Sequence, residues 1–123
     1  MIAPPPSPPN ERQVYLVRLD QSDCTNSNVP NTDGPNVGGN IWLSRDTSGN
    51  TNIKVAITAS PSTSYNIYLK CVRQIGTITT DDEGSAVATF TYPTSSVDAT
   101  YAFDMYPNGA PAGNKFQSAT VNY

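Results

Sequence analysis

Residues 51–59 read TNIKVAITA, with Ile53, Val55, Ile57 and Ala59 at one parity and Asn52, Lys54, Ala56 and Thr58 at the other. A period of two places the first set on one side of a pleated strand and the second on the opposite side, whereas a helix would scatter both around its axis. Short apolar stretches parted by turn residues recur along the chain, the pattern of a sandwich or barrel. Residues 13–19 (QVYLVRL) are apolar on both pleat faces apart from Arg18, as a strand inside the fold requires. Residues 41–45 (IWLSR) run through Ser48-Gly49-Asn50 into 51–59, and Gly and Asn accept the positive φ of a hairpin turn. In 64–72 (SYNIYLKCV), Tyr65, Ile67, Leu69 and Cys71 oppose Asn66, Tyr68 and Lys70, so Cys71 is expected to point inward. Residues 75–80 (IGTITT) and 85–92 (SAVATFTY) flank Asp81-Asp82-Glu83-Gly84 and predict a further hairpin. Residues 100–106 (TYAFDMY) align Tyr101, Phe103 and Met105, and 116–123 supply a closing strand. These strands, about eight and without a helix, predict an all-β antiparallel β-sandwich, with a closed barrel as the alternative.

The 123 residues match one domain. Residues 1–11 hold five of the eleven prolines within Pro4-Pro5-Pro6-Ser7-Pro8-Pro9 and are read as an extended linker or tail, leaving 12–123 as the β-sandwich domain. Only 14% of residues are charged, against about 25% in typical soluble domains, so Thr, Ser and Asn carry the solubility. A net charge of −3 without any run of Lys or Arg lacks the positive stripe that nucleic acid or an anionic membrane surface would need. No apolar run approaches the roughly 18 residues of a spanning helix, so membrane insertion is not expected. The start Met1-Ile2-Ala3-Pro4 has no signal-peptide pattern, so export would imply a leader already removed. Residues 20–40, rich in Asn, Gly, Asp and Pro, read as one long loop, a length often tied to function or mobility.

The absence of His removes Ser-His-Asp and Cys-His catalysis and His-containing zinc sites. Gly34, Gly38 and Gly39 lack the Lys and following helix of a phosphate loop and read as turn residues. Cys24 and Cys71 read as a disulfide, since Cys24 lies in the polar run Asp23-Cys24-Thr25-Asn26-Ser27-Asn28, where a lone thiol would be exposed; two buried thiols are the alternative. Asp81, Asp82 and Glu83 read as a solvated acidic turn, with calcium as the metal such hard oxygens would take; no other cofactor is implied. Trp42, Tyr68 and Tyr106 are the candidate aromatic platform for a sugar, provided they share one exposed face. A Lys to Asn or Lys to Asp isopeptide bond needs a buried Lys beside a carboxylate. Lys54 and Lys70 fall on polar strand faces and Lys115 in or beside a turn, so no lysine is expected to meet that need.

Within residues 63–106, the stretches TSYNIYL, IGTITTDDEGSAVATF and YAFDMY, the last followed by Pro107, resemble the repeated immunoglobulin-like β-sandwich modules of secreted bacterial proteins. The likeness covers about a third of the chain and rests on a Tyr-bearing strand, a Gly-containing acidic turn and core aromatics. It implies an immunoglobulin-like fold and an extracellular setting, and transfers no functional residue. The expected function is a non-catalytic structural, adhesive or assembly module, secreted or on the cell surface, and not an enzyme. Its expected partners are other surface proteins, copies of itself or glycans; carbohydrate binding is the alternative function.

Overall fold

The computed structural model describes residues 11–32 and 34–123; the expected proline linker, apart from Glu11, lies outside the described residues, as does Asp33. The strands are β1 (Arg12–Arg18), β2 (Val37–Arg45), β3 (Asn50–Thr58), β4 (Ser64–Leu69), β5 (Arg73–Thr79), β6 (Ser85–Pro93), β7 (Thr100–Tyr101), β8 (Phe103–Pro107), β9 (Phe116–Ser118) and β10 (Val121–Asn122), with one short 3-10 turn at Thr94–Ser96. The fold is all-β and antiparallel. Eight strands pair in the order β5-β4-β8-β9-β1-β2-β3-β6, and β7 pairs with β10 as a separate ribbon.

Period-two alternation dictates what is buried. Ile53, Val55 and Ile57 on β3, Ile41 and Leu43 on β2, and Val14 and Leu16 on β1 point into the same core as Tyr65, Ile67 and Leu69 on β4 and Phe103 and Met105 on β8. Removing these side chains from water supplies the main driving force, about 1.5–3 kcal/mol for each large one. The sheet rolls until its two end strands meet: the Phe90 ring of β6 fills the space that a Cβ on Gly76 of β5 would need. Tyr92 of β6 and Phe103 of β8 meet edge to face across the interior, with centroids 6.3 Å apart. The eight-stranded sheet is therefore nearly closed.

Three expectations require correction. The hairpin predicted around Asp81–Gly84 is a turn between strands that do not pair: β5 pairs with β4, and β6 with β3. Thr80 accounts for the divergence. Its amide donates to the Thr63 carbonyl (3.0 Å), and its hydroxyl donates to the Ser60 carbonyl (2.6 Å) and accepts from the Thr63 amide (2.9 Å). These bonds hold the end of β5 against the β3–β4 connection, and the chain then crosses to the far end of the sheet.

Second, residues 37–40, read as loop, begin β2. A Cβ on Gly38 would land inside the Phe116 ring, and one on Gly39 would lie 2.7 Å from the Ala56 carbonyl oxygen. These glycines thus serve close packing inside a strand rather than a turn. Third, 100–106 and 116–123 are each broken in two. Ser118 makes the break by accepting the Phe103 amide on its hydroxyl (2.9 Å) and donating to the Ala119 carbonyl (2.9 Å), which releases both segments into the β7–β10 ribbon.

Gly38→Ala is expected to cost about 1–3 kcal/mol, because the added methyl must displace the fully buried Phe116 ring. Gly34→Ala, with open space around the same position, is expected to change stability by less than about 0.5 kcal/mol. Urea denaturation of the two variants measures the difference, and equal costs would refute the packing role of Gly38.

Candidate functional site

In the segment between β1 and β2, Leu19, Ser22 and Asn26 bond to Gln117, Lys70 and Phe103, so that this part lies over β9, the end of β4 and β8. Asp23 organises its first half: its carboxylate accepts the Ser27 amide (2.8 Å), and its carbonyl accepts the Asn26 amide (3.0 Å). Hydrogen bonding from Ser27 holds the Asp23 carboxyl below its ordinary value. Asn26 has φ +50, in the left-handed region that Asn enters more readily than most residues. Cys24 and Cys71 are joined by a disulfide with Cα atoms 5.6 Å apart. The bond fastens this segment to the β4–β5 turn, Lys70-Cys71-Val72. Cys71 is exposed at φ +61 in that turn, and not inward on a strand as its parity implied.

Beneath the fastened segment lies a buried polar cluster. Lys70 follows β4 and donates its amide to the Ala102 carbonyl (2.9 Å), while Asp104 on β8 stands directly opposite Gln117 on β9. The Lys70 Nζ donates to Asn26 Oδ1 (2.7 Å), Gln117 Oε1 (2.9 Å), the Ser22 carbonyl (3.2 Å) and the Ser22 hydroxyl. Asn26 Nδ2 donates to the carbonyl of Phe103, the residue next to Asp104 (3.1 Å), and Gln117 Nε2 donates to the Leu19 carbonyl (3.2 Å). Asn26, Gln117 and Asp104 retain 0%, 3% and 7% of their exposure, and Asp104 Oδ1 has no hydrogen-bond partner among the described residues.

Burial sets the protonation of the cluster. It pushes the Asp104 carboxyl up to about 6, against the pull of the Lys70 charge. It also pushes the Lys70 amine below its ordinary value, opposed by Asp104 and Asp23. Each shift favours the neutral form, because removing charge from water costs more than the pair recovers. Beside the cluster, burial and then the Asp104 charge push Tyr106 up to about 12. A groove of about 420 Å³, lined by Asp20, Lys115 and Tyr106 among others, opens onto Lys70 and Asp104.

Of the aromatic trio, the structure brings two together. Tyr68 and Tyr106 stack with centroids 4.8 Å apart, whereas Trp42 stands on β2 with Lys54 over its ring (5.7 Å), and β9 and β1 lie between it and β8. In the acidic turn, Asp81 Oδ1 accepts the Glu83 and Ser85 amides (2.9 Å each), which holds the carboxyl low and directs it into its own turn. Asp46 caps its turn in the same way through the Ser48 and Asn50 amides (2.9 and 3.0 Å). No group of three or more His, Cys, Asp or Glu suited to hold a metal occurs among the described residues.

By parity Lys70 belongs to a polar strand face. That face is instead covered by Ser22 and Asn26, both bonded to the Lys70 Nζ, which turns an outward lysine into a half-buried one. The available signal was Cys24 paired with Cys71, since the residue next to each end of a cross-link must lie near it. No protein-family model matches the chain, and no curated protein matches it.

The pH dependence of stability tests the burial of Asp104. A carboxyl with pKa about 6 in the fold and 3.8 unfolded binds more protons folded than unfolded between those values, so its contribution to stability falls as pH rises through that window. Asp23, Asp46 and Asp81, held below 3.8, act in the opposite sense and at lower pH. Relative to Asp104→Asn, the wild type is expected to lose up to about 3 kcal/mol between about pH 4 and pH 7. Urea titrations at stepped pH measure it, and parallel curves would refute it.

Proposed function

We propose that this chain is a non-catalytic structural, adhesive or assembly module that works outside the cytoplasm, secreted or on the cell surface. The observation that carries this reading is the Cys24–Cys71 bond between two exposed residues. Disulfides persist in oxidising compartments and are rare where thiols are kept reduced. An exposed bond that fastens a long surface segment would be lost in a reducing cell. An immunoglobulin-like sandwich is part of the proposal. It is supported by two antiparallel sets, β1-β2-β3-β6 and β5-β4-β8-β9, whose inward residues share one core.

One observation favours carbohydrate binding as a second reading. The stacked Tyr68–Tyr106 pair borders a groove of about 290 Å³ with Gln74 and Asp104 in its lining, an aromatic surface with polar groups at hand for hydroxyls.

Cys24→Ser/Cys71→Ser is expected to cost about 4 kcal/mol, since the bond closes a 47-residue separation. Thiol blocking followed by intact mass on protein secreted through an oxidising compartment is expected to find no free thiol, and two free thiols would remove the support for an extracellular role. Sedimentation velocity over a concentration series and a glycan array separate the readings. Concentration-dependent association supports assembly. Glycan binding lost in Tyr68→Ala and kept in Trp42→Ala would give the function to the stacked pair.

A further inference from the structure

The Lys70 cluster holds more than hydrogen bonding requires. A primary amine lies 2.7 Å from the oxygen of a carboxamide with no solvent exposure, and a carboxyl with an unpartnered oxygen is buried on the neighbouring strand. Amine, carboxamide and carboxyl are the three groups of an intramolecular amide exchange. We propose that Lys70 and Asn26 join in an isopeptide bond, with Asp104 as the group that transfers the protons.

The step balances within the chain. The lone pair of the neutral Lys70 Nζ attacks Asn26 Cγ, and Asp104 in its acid form, turning from its unpartnered position toward the pair, donates a proton to Oδ1 as the carbonyl π bond opens. The Asp104 carboxylate then takes a proton from the attacking nitrogen and delivers it to Nδ2. Re-formation of the carbonyl returns the first proton to water or to Asp104 and breaks the Cγ–Nδ2 bond. One C–N bond forms, one C–N bond breaks and one ammonia leaves; nothing is oxidised or reduced. The amine must be neutral and the carboxyl protonated at the start, and burial shifts both groups in those directions.

Position favours Asn26 over Gln117, the other carboxamide that Lys70 touches. Asn26 is the nearer of the two and is fully buried. Its leaving nitrogen is held on the carbonyl of Phe103, beside Asp104, whereas that of Gln117 is directed away to Leu19. The Cys24–Cys71 bond, two residues from Asn26 and one from Lys70, holds the reacting groups together and replaces a search by the chain with a fixed encounter. The product would fasten residues 19–32 to β4 by a bond that reductant does not open.

Intact mass of the full chain after reduction and alkylation tests the proposal. The wild type is expected to weigh about 17 Da less than its sequence, one ammonia, and Lys70→Arg and Asn26→Ala are expected to show no loss. In Asp104→Asn the loss is expected to slow by about 10²–10⁴-fold, followed by mass over time. Trypsin, unable to cleave after an acylated Lys70, is expected to leave peptide 19–45 joined to peptide 55–73 in the reduced and alkylated chain, where the Cys24–Cys71 bond no longer links them. This map uses the wild type alone and does not depend on any variant folding. An unshifted wild-type mass overturns the proposal. So does a loss that persists in Lys70→Arg, which marks a cyclic imide, or a join to peptide 116–123, which places the bond at Gln117.

Discussion

β9, three residues long, holds this molecule together. It pairs with β1 on one side and β8 on the other, and so joins the set β1-β2-β3-β6 to the set β5-β4-β8. Each of its side chains has a separate task. Phe116 points inward, fills the space left by Gly38 and meets Tyr65 edge to face at 6.0 Å. Gln117 points outward and receives Lys70, and Ser118 takes the Phe103 amide and ends the pairing. The core, the polar cluster and the β7–β10 ribbon all rely on this short crossing.

On the outer face the controlling effect is desolvation. A lysine, a carboxyl and a carboxamide on an open sheet, Lys70, Asp104 and Gln117, would be ordinary surface groups. A roof of turns changes their chemistry, because a buried charge must be paired, hydrogen-bonded or given up. The roof is stable for local reasons, the Asp23 turn and the left-handed Asn26, and for one long-range reason, the disulfide to the β4–β5 turn. Thr120 adds a further tie by donating its hydroxyl to the Thr25 carbonyl. Stability and the proposed reactivity at this site therefore have the same origin: the groups that close the roof also hold the amine against the carboxamide, beside a buried carboxyl.

Much of the fold was legible because alternation is a local property. The inward sets of β3, β4 and β8 could be read from parity alone, since Ile53, Val55 and Ile57, or Tyr65, Ile67 and Leu69, require only a pleated backbone and a core on one side. The cysteine pair was legible from the polar setting of Cys24. Partners were not. The acidic turn after Thr80 has the composition of a hairpin, yet β6 pairs with β3, because Thr80 bonds to Ser60 and Thr63, residues about twenty positions earlier. Gly38 and Gly39 read as a turn because sequence does not show that an aromatic ring 78 residues after Gly38, Phe116, needs the space.

By itself, then, the sequence determined strand character, the inward side chains of most strands and the lack of histidine chemistry, all consequences of residue type and short-range spacing, and it pointed to the cysteine pair that the structure joins. The tertiary structure alone decided that the eight strands form one rolled sheet, that Trp42 stands apart from the stacked tyrosines, and that Lys70, Asn26, Asp104 and Gln117 meet under a roof. Each of those outcomes depends on which distant segment covers which face. Parity tells a side chain to point outward, and only the assembled chain settles whether outward means water.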